Sequence, residues 1–287
     1  MSSAPDLVVI GLRALGFVAV MQAAGGAICL GLFGADLAGS GKLMHKTTLA
    51  AACAAGLLVV LHHMLEPARM TASFTGIWDL GLHTVLLNSD AGTARAVRLL
   101  GLAVVIWSGL SQHRMRTQLG LIGAVLALTS FVLMGHTAAS EQRWILAVLL
   151  LAHLLVAGWW FGALTAFWFT AVHESLETNA KIIAQFSAVA GWLVPVILLA
   201  GLGLGLGLIP DYAALRSPYA ALLLLKLLVF LGLMGLAAGN RFRLVPEITR
   251  GEVKALYRLR QIIAAEWLLI VVILIVTAVM TGVYGPE

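Results

Sequence analysis

The chain runs in long apolar stretches separated by short polar breaks. Within the stretches apolar residues follow one another without the period-two alternation of a membrane barrel strand. Eight stretches, 7–33, 47–66, 95–111, 119–135, 144–168, 183–208, 219–239 and 262–283, lie near the ~20 residues that carry a helix across a bilayer. Residues 71–88 are different. Phe74, Ile77, Trp78, Leu82, Val85 and Leu86 recur at helical spacing between polar positions, which predicts an amphipathic or re-entrant helix at the interface. The fold expected is all-α: a polytopic membrane bundle of about eight transmembrane helices plus an outer amphipathic helix, one domain over 1–287.

Composition sharpens this picture. Of 287 residues 61% are hydrophobic and 11% charged, whereas soluble domains run near 45–50% and about 25%. Mean hydropathy is +1.00. A soluble enzyme, a disordered chain, a coiled coil and a nucleic-acid-binding domain are all excluded. The net charge of +5 reads as the basic bias of membrane loops. Lys42, Lys46, Arg114, Arg116, Lys181, Arg241, Arg243, Arg250, Lys254, Arg258 and Arg260 fall on one side. Arg69, Arg95, Arg98, Arg143 and Arg216 fall on the other, and Arg13 and Lys226 lie within spans. The side richer in Lys and Arg is expected to be cytoplasmic, so both termini are expected to face outward. The N-terminus has no basic leader region, which predicts a retained first span. The run Gly201 to Gly207 alternates with Leu and suits close helix packing better than phosphate binding.

Histidine is uncommon inside membranes and marks a functional hypothesis there. Of the eight histidines, His45, His113 and His173 fall in cytoplasmic loops and receive no role. The other five gather toward the outer side: His62 and His63 near the end of the second span, His83 in the amphipathic segment, His136 at the end of the fourth span and His153 in the fifth. His153 lies nine residues in from Trp144, roughly 13 Å along a helix. Imidazoles from several segments at related depths are what a metal site in a bundle requires. Neutral imidazole binds copper, zinc, nickel and iron, and thioether softness favours Cu(I). Met134 is the candidate thioether, two residues before His136, provided the helix loosens at Gly135. Met64 and Met70 are read as packing. Adjacent residues diverge by about 100° on a helix, so one of His62 and His63 is expected to face the bundle.

Other polar groups sit inside apolar runs: Lys226, Glu266, Arg13 and Asn240. They serve either as helix-tying ion pairs and caps or as parts of a polar pathway. Glu266 is expected near the cytoplasmic side. Cys29 and Cys53 both fall near cytoplasmic helix ends; packing is the simpler reading, an inner soft-metal site the other.

Several of these residues stand in motifs. Gly135-His136-Thr137, then His153-Leu154-Leu155-Val156-Ala157-Gly158-Trp159-Trp160-Phe161-Gly162, resembles the CopD/PcoD copper-resistance membrane proteins. Phe186-Ser187, Ser217-Pro218-Tyr219, Lys226, Asn240-Arg241-Phe242-Arg243-Leu244-Val245-Pro246 and Glu266 extend the likeness, which is most specific over about 130–283. It is looser before that, at Glu66-Pro67-Ala68-Arg69 and from Leu99 onward, so the family-like core covers about 95–283. Ala220 stands where relatives often carry glycine, and no Met-rich outer run is present.

The resemblance implies eight spans, a place in the bacterial inner membrane with periplasmic termini, and a periplasmic CopC-like copper carrier as partner. It also implies movement of copper, as Cu(I) or Cu(II), from periplasm to cytoplasm. His136 and His153 would bind the ion with a third ligand from His63, His62 or His83. No nucleotide-binding motif occurs, so transport would be passive or coupled to an ion or redox gradient. No enzymatic activity is expected. Two other readings stay open: a b-type cytochrome holding haem b between His63 or His62 and His153, and a copper sensor or assembly factor that does not transport.

Overall fold

A computed structural model of the chain describes residues 4–37, 39–135, 140–208, 216–250 and 252–284. The elements in order are α1 (Ala4–Phe33), α2 (Ser40–Met70), a 3-10 turn (Phe74–Trp78), α3 (Leu80–Leu87), α4 (Asp90–Leu110) and α5 (Arg116–Thr129). There follow α6 (Arg143–His173), α7 (Leu176–Leu208), α8 (Pro218–Gly239), a π turn (Asn240–Leu244), α9 (Val245–Thr249) and α10 (Val253–Val283). No strand occurs among the described residues. Among the described residues seven helices are long and apolar enough to cross a membrane, the last-but-one running as Pro218–Ile248 through the π turn. Large apolar side chains such as Trp144, Trp192 and Leu206 are exposed around the bundle, as lipid-facing positions require.

The fourth predicted span, 119–135, is the one missing from these seven and is helical only to Thr129. Beyond it Phe131 N–H bonds to the Leu128 carbonyl and Val132 N–H to that of Thr129, so the backbone tightens into turns. At 14 residues α5 is about 21 Å long, short of the ~30 Å hydrocarbon core. Several helices begin earlier than the apolar runs do. α10 starts at Val253 rather than 262, because Arg258 and Arg260 find partners that let charged residues stay helical: Arg258 pairs with Glu247 at 3.1 Å, and Arg260 donates to the Ala171 carbonyl. Glu266 therefore stands near the middle of its helix and not near one end. The 71–88 segment divides into the 3-10 turn and α3, which buries none of its residues.

Local signals explain the helix starts. Ser89, Ser217 and Asp79 accept from backbone N–H groups of the first turns of α4, α8 and α3, each removing an orphan donor. The α2 start is capped from a distance: Glu174 Oε1, just past α6, accepts from Ser40 N at 2.7 Å and from Ser40 Oγ at 2.8 Å. At the same end Lys181 pairs with Asp36 at 2.6 Å, and Arg241 donates to the Ser187 carbonyl.

α1 is central and packs against α2, α4, α5, α6 and α10. Its contact with α6 is backbone to backbone. A Cβ on Gly25 would lie 1.8 Å from the Gly158 carbonyl oxygen, and one on Gly162 would lie 2.1 Å from the Gly25 carbonyl carbon. Gly101 of α4 and Gly123 of α5 meet in the same way. Between membrane helices such contacts replace the hydrophobic driving force that lipid does not supply. Beside this contact the aromatic core assembles, with Trp159 stacked on Phe186 at 4.6 Å and Phe161 on Trp267 at 5.3 Å.

Candidate functional site

The C-terminal turns of α2, the N-terminal turns of α4 and the 3-10 turn with α3 meet at the predicted outer end. α2 lies between α1 and α4, so both adjacent histidines are sheltered: His63 is 9% exposed, and His62 is half-buried with its Nε2 atom buried. The expectation that one of them would point away from the bundle fails for that reason.

Hydrogen bonding decides which ring nitrogens are free. Arg95 Nη1 lies 2.6 Å from His63 Nδ1. Guanidinium can only donate, so Nδ1 accepts and the proton of a neutral His63 sits on Nε2. Neither nitrogen then offers a lone pair, to a metal or to haem iron. His83 is the opposite case. Its Nε2 lies 2.8 Å from the Ile77 carbonyl oxygen, which can only accept, so Nε2 carries the proton and Nδ1 keeps a lone pair. That Nδ1 is buried with no partner. The His63 and His83 rings lie 5.3 Å apart. His62 Nδ1 stands 3.7 Å from Glu66 Oε2, and its Nε2 is buried without a partner.

This corner also gathers cations. Arg13, Arg95 and Arg98 all act electrostatically on His62. Arg98 donates from Nε to Ser130 Oγ at 2.8 Å, with its guanidinium 3.8 Å from the Phe131 ring centroid. Arg13 lies over Phe17 at 5.7 Å. Glu66 is the nearby carboxylate, and Arg69 occupies its Oε1 at 2.8 Å. Sequence reasoning missed the roles of Arg95 and Arg98. The available signal was their i, i+3 spacing at the head of an apolar run, which places both on one helix face.

His153 lies apart from this corner, on α6 against α7. A Cβ on Gly201 would meet His153 Cε1 and Nδ1 at 3.6 Å, so the glycine run of α7 makes room for the ring as well as for Leu149 and Leu146. His153 Nδ1 is buried with no well-shaped hydrogen bond, although the Ile197 backbone approaches the ring, and Lys226 of α8 is its charged neighbour. Met134 is half-buried, and Gly135, beyond the end of α5 at Thr129, takes φ +86, a left-handed backbone that glycine adopts readily. His136 lies outside the described residues. Among the described residues no three His, Cys, Asp or Glu side chains converge as a ready metal site.

Polar groups also lie deeper. Thr165 Oγ1 donates to Gln22 Oε1 at 2.8 Å. Glu266, 3% exposed, accepts from Asn240 Nδ2 at 2.6 Å. The two cysteines do not share a site: Cys29 is buried in the core and Cys53 is exposed, because they fall on differently packed faces of α1 and α2.

The family description "Copper resistance protein D-like, N-terminal domain" matches residues 4–144, and "Copper resistance protein D" matches residues 180–280. Copper resistance protein D of Pseudomonas syringae pv. tomato is 28% identical over 236 residues, 76% of each chain. No solved structure matches significantly. With both halves matched in order, and with helices apolar enough to span a bilayer, the chain is a helical membrane protein that belongs to the copper resistance protein D family.

Proposed function

We propose that this protein binds copper at its outer end and moves it across the bacterial inner membrane, from the periplasm to the cytoplasm. It acts as a transporter rather than an enzyme, and a periplasmic CopC-like carrier delivers the ion. In this reading α5 and the turns after it make the eighth crossing, which leaves both termini in the periplasm.

The observation that carries the proposal is the set of imidazole nitrogens left buried without partners: His62 Nε2, His83 Nδ1 and His153 Nδ1. An unpaired buried polar atom costs free energy, and a borderline-soft cation that takes imidazole nitrogen supplies the missing partner. His83 is the entry ligand, since the Ile77 carbonyl fixes its tautomer as a histidine ligand requires. His136 and Met134 follow it, and His153 receives the ion deeper in. His63 is a positioning residue that holds Arg95. The arginines around His62 disfavour a bare cation resting there, so His62 serves in passage and not in storage.

The test is Cu(I) and Cu(II) affinity of the purified protein, alongside copper uptake into proteoliposomes, for wild type and His83→Ala, His136→Ala and His153→Ala. Stoichiometric binding weakened in each variant, with uptake lost in parallel, supports the proposal. Binding without uptake in the wild type replaces transport with a sensing or assembly role. Unchanged binding in all three variants sinks the ligand set.

A further inference from the structure

Glu266 is the most deeply buried charged side chain described in the bundle, and the copper ligands above make no use of it. It stands near the middle of α10, 3% exposed. Asn240 donates to its Oε1 at 2.6 Å. Trp160 brings its buried indole N–H up to the carboxyl without forming a well-shaped hydrogen bond. Asn240 opens the π turn, where Val245 N–H reaches back five residues to the Asn240 carbonyl. Such turns interrupt the regular helix ladder and recur at functional sites.

Among the described residues no cation acts on this carboxyl. α10 packs against α1, α6, α8, α9 and the π turn, and among the described residues no titratable group of those elements is among the groups that act on Glu266. Arg13 acts on Glu66, Lys226 on His153, Arg241 on the Ser187 carbonyl and Glu247 on Arg258. Arg243 is exposed. The groups that act on Glu266 are Asn240 and Trp160, both neutral. A lone carboxylate in a low-dielectric interior is driven to take up a proton. Two N–H donors facing it make the ionised form tolerable without making it preferred, as a group that must exist in both states requires.

The same donors argue against a resident metal. A cation at Glu266 would face the hydrogens of Asn240 and Trp160, and no group of three carboxylate, thiol or imidazole side chains converges there among the described residues. The buried Asn240 Oδ1 lacks a partner. Amide oxygen and nitrogen exchange places by a half-turn of the side chain, and the exchanged amide accepts the proton of a neutral Glu266.

We propose that Glu266 is a proton-binding site inside the bundle and that its proton is exchanged for copper during transport. The coupling rests on the copper-transport reading; the proton site does not. A monovalent copper ion crossing the interior is stabilised by the carboxylate and not by the acid. The acid therefore releases its proton to the water on the periplasmic side as the ion arrives from there, and regains one from the water on the cytoplasmic side after the ion has left.

Two measurements on the full-length protein in lipid test this. Infrared difference spectra between wild type and Glu266→Gln report the carbonyl stretch of a protonated buried carboxyl at neutral pH. Copper uptake into vesicles under imposed pH gradients reports coupling, with the elution profile confirming that the isosteric variant is folded. The expected results are a protonated-carboxyl band present in wild type and missing in Glu266→Gln, and wild-type accumulation that rises about tenfold for each pH unit of interior acidity, as one-for-one exchange requires. Accumulation by the variant should ignore the gradient. Absence of the band overturns the proton site, and an unchanged gradient response in Glu266→Gln overturns the coupling. A band without copper uptake by any form upholds the proton site and removes the transport reading together with the coupling.

Discussion

Replacing Gly25 with alanine adds one methyl group at the closest helix approach in the bundle. The new Cβ would fall 1.8 Å from the Gly158 oxygen and 2.9 Å from the Gly162 nitrogen. Ordinary contacts need about 3.5 Å, so α1 and α6 must part by roughly 1.5 Å. Overpacking costs about 1–3 kcal/mol. A helix carbonyl cannot swing aside as a side chain can, which places this change at the upper end. About 3 kcal/mol corresponds to a melting temperature lower by roughly 5–10 °C. The control lies on the same helix: Gly11 has nothing within 4 Å of its Cβ position, so Gly11→Ala should leave melting unchanged or raise it slightly. Both variants are melted in detergent and followed by loss of the monodisperse elution peak. Parting the helices also displaces α6 and its His153, so copper affinity should fall in Gly25→Ala and hold in Gly11→Ala. If the two variants melt together, the backbone contact is not what holds α1 to α6 and the reasoning fails.

Four further outcomes are expected. His83→Ala should weaken copper binding at least as much as the roughly 10–100-fold that loss of a supporting shell costs, and wild-type binding should weaken as pH falls through the histidine range, because only neutral imidazole binds; equal affinity at both ends of a titration would contradict this. In the loop between α1 and α2, hydrogen bonds from Lys181 and Gln185 hold the Asp36 carboxyl below its usual range. Its contribution to stability is therefore present above the ordinary carboxylate range and lost as pH falls through the depressed value, so Lys181→Ala should flatten the acid-side fall in melting temperature. Glu174→Ala uncaps α2 and should cost about 1 kcal/mol, read as faster hydrogen exchange in the first turn of α2. Cys29→Ser with Cys53→Ser should leave copper retention unchanged; a loss would restore an inner thiol site.

The apolar runs alone established a helical membrane bundle, because in lipid a backbone must satisfy its own hydrogen bonds and a run of ~20 apolar residues does so as a helix. They also marked the outer histidines, Lys226, Glu266, Arg13 and Asn240 as polar groups inside apolar runs, and motifs enough to suggest the family. The rotation of each helix about its axis was not legible. A helix apolar all round carries no amphipathic stripe, since lipid and protein interior are equally apolar, and sequence cannot say which face meets which neighbour. Packing therefore decided that His62 and His63 are both sheltered, that Arg95 occupies His63 while Ile77 leaves His83 Nδ1 free, and that Cys29 and Cys53 stand on unlike surfaces. It likewise decided that Glu266 stands near the middle of its helix. The charged turns of α10 read as loop in the sequence and stay helical only because Glu247 and the Ala171 carbonyl, from other parts of the chain, meet Arg258 and Arg260.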